Sequence, residues 1–221
     1  GHTGFGEVLS NFHCGRHCRG PGAYVGKGLK GFIMEKHLIL GVTGASGVYA
    51  AELLIEKSPW PVDLIASKWA GEIYAHERGR SKNLTEKADK VYGNEDLCAP
   101  VSSGSVPTAG MVILPCSTNT MGQIASGLCD NLITRAAHCH LKERRPLVIC
   151  LRETPLTAID LENGSKIAAA GGIIMPLSPP FYMFGRKDPE TVSMADLMKV
   201  YVDRILSILG HPSESNWGTV K

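Results

Sequence analysis

"KHLILGVTGASGVYAAELLI", residues 36–55, decides how the chain is read. The apolar run Leu38-Ile39-Leu40 leads into a turn, Thr43-Gly44-Ala45-Ser46-Gly47, and helical apolar spacing begins at once. Gly41, Gly44 and Gly47 fall at three-residue steps across this strand-to-helix junction. Glycines there allow tight turning and close approach, and the amides opening the helix attract anions. The turn alone is equally compatible with a well-capped helix start, so the rest of the chain must decide.

Beyond it the punctuation is regular. Residues 36–42, 61–67 ("PVDLIAS"), 109–116 ("AGMVILPC"), 146–151 ("PLVICL") and 172–176 ("GIIMP") read as strands. Helical spacing covers 46–57, 68–78, 118–128, 130–143, 156–170 and 189–209. Alternating strands and helices predict right-handed crossovers and a mostly parallel sheet covered on both faces: one Rossmann/flavodoxin-like, three-layer α/β domain over residues 34–221. Ligands in such sheets bind beyond the strands' carboxyl ends, which selects 43–47, 67–68, 101–105, 115–120 and 152–156. The polar stretch 79–100 receives no assignment.

Bulk properties narrow the class. With 43% hydrophobic residues among 221, the chain can bury one sizeable core. A formal charge of +2 gives no reason to expect nucleic acid or an anionic membrane as partner. No apolar run reaches the roughly 18 residues of a membrane span. The seven cysteines are an odd number without framework spacing, which predicts reduced thiols in a cytoplasmic protein. Residues 1–33 are glycine-rich, without sustained period or the apolar core of a secretory signal, and read as a disordered leader or added extension. His13, Cys14, His17 and Cys18 lack a second ligand pair at finger spacing, and His138-Cys139-His140 point apart on a helix, so no metal is expected. Cys116 has no partner to activate it and reads as a small buried hydrophobe.

What, then, would the turn hold? An NAD site wants an acid at the end of the second strand, but that strand ends Ala66-Ser67-Lys68. Thr43 replaces the second glycine of G-x-G-x-x-G, and Val48 follows Gly47 where a P-loop needs lysine. A mononucleotide fits better, flavin mononucleotide (FMN) first. A second nest, Ser117-Thr118-Asn119-Thr120, opens the helix after the 109–116 strand and offers more polar side chains than capping needs.

Taken in order, "TGASG", "SSGS" (102–105), "PCSTNT" (115–120), "DNLITRAA" (130–137), "LKERRPLV" (141–148), "RETPL" (152–156), "LEN" (161–163) and "PFY" (180–182) resemble the UbiX-type flavin prenyltransferases. That group lies within the flavin-binding cysteine-decarboxylase superfamily, and the resemblance covers about residues 36–217. It implies a metal-independent enzyme that joins a dimethylallyl group from dimethylallyl phosphate to N5 and C6 of reduced FMN. The product would serve UbiD-type decarboxylases, and the enzyme would be a homo-dodecamer with sites at subunit contacts. Position by position, the resemblance puts the flavin on Gly44, Ala45, Ser46, Ser67, Ser117, Thr118, Asn119, Thr120 and Arg152. Ser46, Glu77 and Glu153 become the catalytic candidates. Lys142, Tyr182 and Arg204 would grip the substrate phosphate, with Arg135 from a neighbouring subunit, and Trp217 would cover the prenyl tail.

The residue types suit that chemistry. Phosphate leaving from carbon gathers negative charge that Arg, Lys and Tyr donors can stabilise, and a carboxylate can relay protons. Judged alone, Lys142, Arg144 and Arg145 could simply serve a helix carboxyl end. Arg204 and Glu77 would be solvated helix charges, and Tyr182 half-buried packing. Arg152-Glu153 is different, because charges seldom end a buried strand without a partner. Two rivals remain. "PCSTNT" resembles the P-A-S-A-N-T block of FMN-dependent cysteine decarboxylases, but 101–108 lacks their histidine. A non-catalytic flavin-carrier subunit of a decarboxylase would need the nests alone.

Overall fold

The computed structural model describes residues 36–79, 84–179, 182 and 188–212. The leader 1–33 and Trp217 lie outside the described residues. Six strands form one sheet, β1 His37–Val42, β2 Val62–Ala66, β3 Lys90–Gly93, β4 Thr108–Cys116, β5 Leu147–Leu151 and β6 Ile173–Ile174. Its order is β3-β2-β1-β4-β5-β6, with every pair parallel. The helices are α1 Val48–Lys57, α2 Lys68–Arg78, α3 Thr118–Ala125, α4 Leu132–Lys142, α5 Ala158–Ala169 and α6 Met194–Ile208.

Strand alternation divides the core in two. Leu38, Leu40 and Val42 of β1 pack with α1 and with Tyr201, Val202 and Ile205 of α6. Ile39, with Met111 and Ile113 of β4, meets Met121 of α3, Ile133 of α4 and Ile167. Two covered faces explain why the central strands read as continuous apolar runs. The chain builds outward from β1 to β3, then returns to place β4 on the other side of β1. The switch point is therefore the β1/β4 boundary, where open α/β sheets bind ligands.

One strand was missed and one expected edge was misplaced. β3 is short and mostly exposed, and it falls in the stretch left unassigned. The segment 101–105 does not sit at a strand's carboxyl end: it leads into β4, and Glu143 and Lys142, at the carboxyl end of α4, approach Gly104. Asn94 and Glu95 occupy the true carboxyl end of β3 instead. Among the described residues no helix is long and apolar enough to cross a membrane.

Candidate active site

Thr43 fastens the switch point. It is 2% exposed, and both its amide (3.2 Å) and its hydroxyl (3.0 Å) donate to the Pro115 carbonyl, while the hydroxyl accepts from the Ser117 amide at 2.8 Å. One side chain thus ties the end of β1 to the end of β4, which a glycine could not do. Gly44 is needed for space, since a Cβ there would lie 2.6 Å from the Cβ of Trp69. Gly47 has a left-handed φ of 99° and caps α1.

Four of the described helices that begin at this edge satisfy their opening amides differently. At α1 the Glu77 carboxylate accepts from Gly47 (2.9 and 3.1 Å) and Val48 (3.1 Å). The anion on the opening turn is thus the chain's own. At α4 the Leu132 amide donates to the Asn94 carbonyl (2.7 Å), Ile133 to Asn94 Oδ1 (3.0 Å) and Thr134 to Asn131 Oδ1 (3.0 Å). At α2 and α3 the caps are lighter: Ser67 Oγ accepts only from Ala70 (3.2 Å) and Ser117 Oγ only from Thr120 (3.3 Å). The first two amides of each, at Lys68, Trp69, Thr118 and Asn119, have no capping side chain among the described residues.

Those two helix starts face one cavity of about 430 Å³, within the usual range for small-ligand sites. Thr43, Gly44, Ser67, Lys68 and Trp69 form one side, Ser117, Asn119, Thr120 and Gln123 the other. Asn94, Glu95, Asn131 and Ile133 complete the wall. Lys68 is the only cation lining it among the described residues.

Of the flavin residues expected from the sequence, Gly44, Ser67, Ser117, Asn119 and Thr120 line this cavity, while Ala45, Ser46, Thr118 and Arg152 do not. The Ala45 side chain is buried, and Ser46 is exposed beside the Glu77-capped turn. Arg152 is half-buried after β5, its amide donating to Cys116 at 3.0 Å, and Glu153 is exposed. The selected segments 43–47 and 67–68 contained Thr43 and Lys68 without giving them a role, and sequence reasoning missed Trp69, Asn94, Glu95, Gln123, Asn131 and Ile133 as wall residues. Recognising "KVYG" as a strand would have exposed Asn94 and Glu95 through the same carboxyl-end rule.

The phosphate-grip residues do not gather here within one chain. Lys142 ends α4 and pairs with Glu143; ten residues of helix separate it from the cavity-lining start of α4, about 15 Å. Arg135 donates to the Ser102 carbonyl at 3.0 Å. Arg204 is exposed on α6, and Tyr182 is 49% exposed. Arg145 is more than a helix-end charge, since it donates to the carbonyls of Val106 and Gly104, both at 2.6 Å.

A buried cluster delivers Glu77. Glu52 of α1, 3% exposed, accepts from the Tyr74 hydroxyl and from Arg78 Nε (3.1 Å) and Nη2 (3.0 Å). Burial pushes the Glu52 carboxyl up, but the Arg78 and Tyr74 hydrogen bonds and the Arg78 charge outweigh it and hold it below its ordinary value. Arg78 also lies over the Tyr49 ring, 4.6 Å from its centroid. The crossing of α2 over α1 is thereby fixed one residue from Glu77. Elsewhere, His140 is pinned between Thr108 (2.8 Å) and the Ala136 carbonyl (2.8 Å), while Cys139 turns to Ser102, so the His-Cys-His run diverges. Burial raises the Cys116 thiol far above its ordinary value, which disables it as a nucleophile.

Comparison with known proteins gives the family. The Flavoprotein family model matches residues 30–207. Flavin prenyltransferase UbiX of Salmonella typhimurium is 41% identical over 176 residues, 77% of this chain and 90% of that protein. The chain belongs to the Flavoprotein family, among its UbiX-type flavin prenyltransferases. Two solved structures of UbiX-type proteins share the fold. One, AnUbiX (PadA1) in complex with FMN and dimethylallyl pyrophosphate, has a TM-score of 0.73 at 36% identity, covering 83% of this chain and 99% of that one. The other, a dodecameric FMN-dependent UbiX-like decarboxylase from Escherichia coli O157:H7, has a TM-score of 0.74 at 33% identity, covering 82% and 98%. The cavity suits a UbiX-type flavin site on its own chemistry. Two lightly capped helix starts and Lys68 suit a phosphate, and hydroxyls and amides suit the polar edge of a ring.

Proposed function

We propose that this chain transfers a dimethylallyl group from dimethylallyl phosphate to N5 and C6 of reduced FMN, without a metal. The carrying observation is the pair of lightly capped helix starts, α2 and α3, over one polar cavity at the switch point of a UbiX-type chain. Reduced FMN supplies the nucleophilic atoms when bound. The uncapped amides and Lys68 hold its phosphate, and Ser67, Ser117, Asn119, Thr120 and Asn131 meet polar edges. Ser46 serves the reacting centre, and Glu77 and Glu153 carry protons. Arg152 closes the β5 side.

Cleavage of the donor's C–O bond leaves charge on phosphate, which Lys142, Tyr182, Arg204 and Arg135 stabilise. Because one chain leaves Lys142 at the far end of α4 and ties Arg135 to its own Ser102 carbonyl, a neighbouring copy brings them, in keeping with a homo-dodecamer. Trp217 covers the tail. The product passes to a UbiD-type decarboxylase. The five described cysteines are all unpaired, which supports a reducing, cytoplasmic setting.

Purified chain incubated with FMN, dithionite and either dimethylallyl phosphate or the diphosphate provides the test. Prenyl transfer predicts release of phosphate or diphosphate from the donor used and a new flavin spectrum. Carbon dioxide from a cysteinyl peptide would instead mark a cysteine decarboxylase, and bound but unaltered flavin a carrier. Glu153→Gln and Arg204→Ala should both retain FMN and lose turnover, the first by about 10²–10⁴-fold.

A further inference from the structure

Trp69 is the most conspicuous cavity residue that nothing above employs. Its side chain is 65% exposed, although large aromatic rings normally gain by burial. Three observations show that the ring's place is built. The Gly44 position leaves room for it, since any Cβ there would lie 2.6 Å from Trp69 Cβ. Lys68 sets its ammonium over the indole, 5.7 Å from the centroid, so one face of the ring carries a cation. The rest of the cavity is polar apart from Ile133.

A cavity with one exposed aromatic ring, one aliphatic side chain, one ammonium (Lys68), one carboxylate (Glu95) and otherwise amides and hydroxyls suits a flat ligand with apolar faces and a hydrogen-bonding perimeter. It does not suit an aliphatic tail, which would find only Ile133 and the indole. We propose that Trp69 is a binding residue that stacks the indole face left open by Lys68 on the isoalloxazine ring of FMN. This rests on the function proposed above and adds a specific contact to it.

FMN titration, read by equilibrium dialysis and by the flavin's own fluorescence, tests the contact. A stacked indole quenches flavin emission by electron transfer at contact. The parent chain should bind FMN with its emission quenched. Trp69→Ala should weaken binding about tenfold and leave the bound flavin emitting. Trp69→Phe should recover most of the affinity. The exposed ring supports no core, so an unchanged thermal midpoint would show that the variants are folded. Equal affinity and equal quenching in parent and Trp69→Ala would overturn the stacking role alone. Failure of the parent chain to bind FMN would overturn this contact and the proposed function together.

Discussion

The amino ends of α1 and α3 begin at the same edge of the sheet, after adjacent strands, yet they are finished in opposite ways. Glu77 closes α1 with three short contacts to Gly47 and Val48, and no anion is needed from outside. Ser117 satisfies only the Thr120 amide of α3 and leaves the end turned to a cavity. A glycine-rich turn is thus not itself a ligand site. What matters is whether the chain supplies its own carboxylate, and here the more conspicuous turn is the closed one.

Three substitutions probe this difference. The largest effect should come from the open side, where Asn119→Asp adds a charge facing the same space as a phosphate. FMN affinity should fall by about a hundredfold in dialysis, and unchanged affinity would place the phosphate elsewhere. Next, Arg78→Ala strands the buried Glu52 carboxylate and should destabilise the fold by about 2–3 kcal/mol in urea unfolding. Smallest is Glu77→Gln: losing a capping charge should lower stability by about 1 kcal/mol and leave FMN affinity within about threefold. A large loss of affinity there would mean that the α1 end is part of the binding site after all.

Acid should act on the closed side too. The folded Glu52 carboxyl lies below its ordinary value, so the stability it contributes is present above that value and is lost as pH falls through the folded one. His140 adds in the same direction. Burial lowers its pKa, so stability declines once pH drops below about 6.5, where the unfolded chain takes up the proton. Urea midpoints from pH 7.5 to pH 4 should fall for the parent chain, and less steeply for His140→Gln below pH 6.5.

The sheet was legible because its central strands are buried on both faces and read as unbroken apolar runs; β3, exposed at an edge, carried no such signal. Ser67, Ser117, Asn119 and Thr120 could be found because strand-to-helix junctions are visible in one dimension. Glu77 looked like a solvated charge because its partners lie 29 and 30 residues earlier, and only the crossing of α2 over α1 brings them together. Thr43 looked like a missing glycine, although its hydroxyl joins two strands 72 residues apart in the chain. Lys142 and Arg204 suited a phosphate grip by type, but one chain does not gather them around its own cavity.

A crystal structure of the chain with FMN would test the central claim most directly. The phosphate should lie against the first amides of α2 and α3 near Lys68, with Glu77 still bonded to Gly47 and Val48. A phosphate seated on Gly47 and Val48, with Glu77 displaced, would contradict the account.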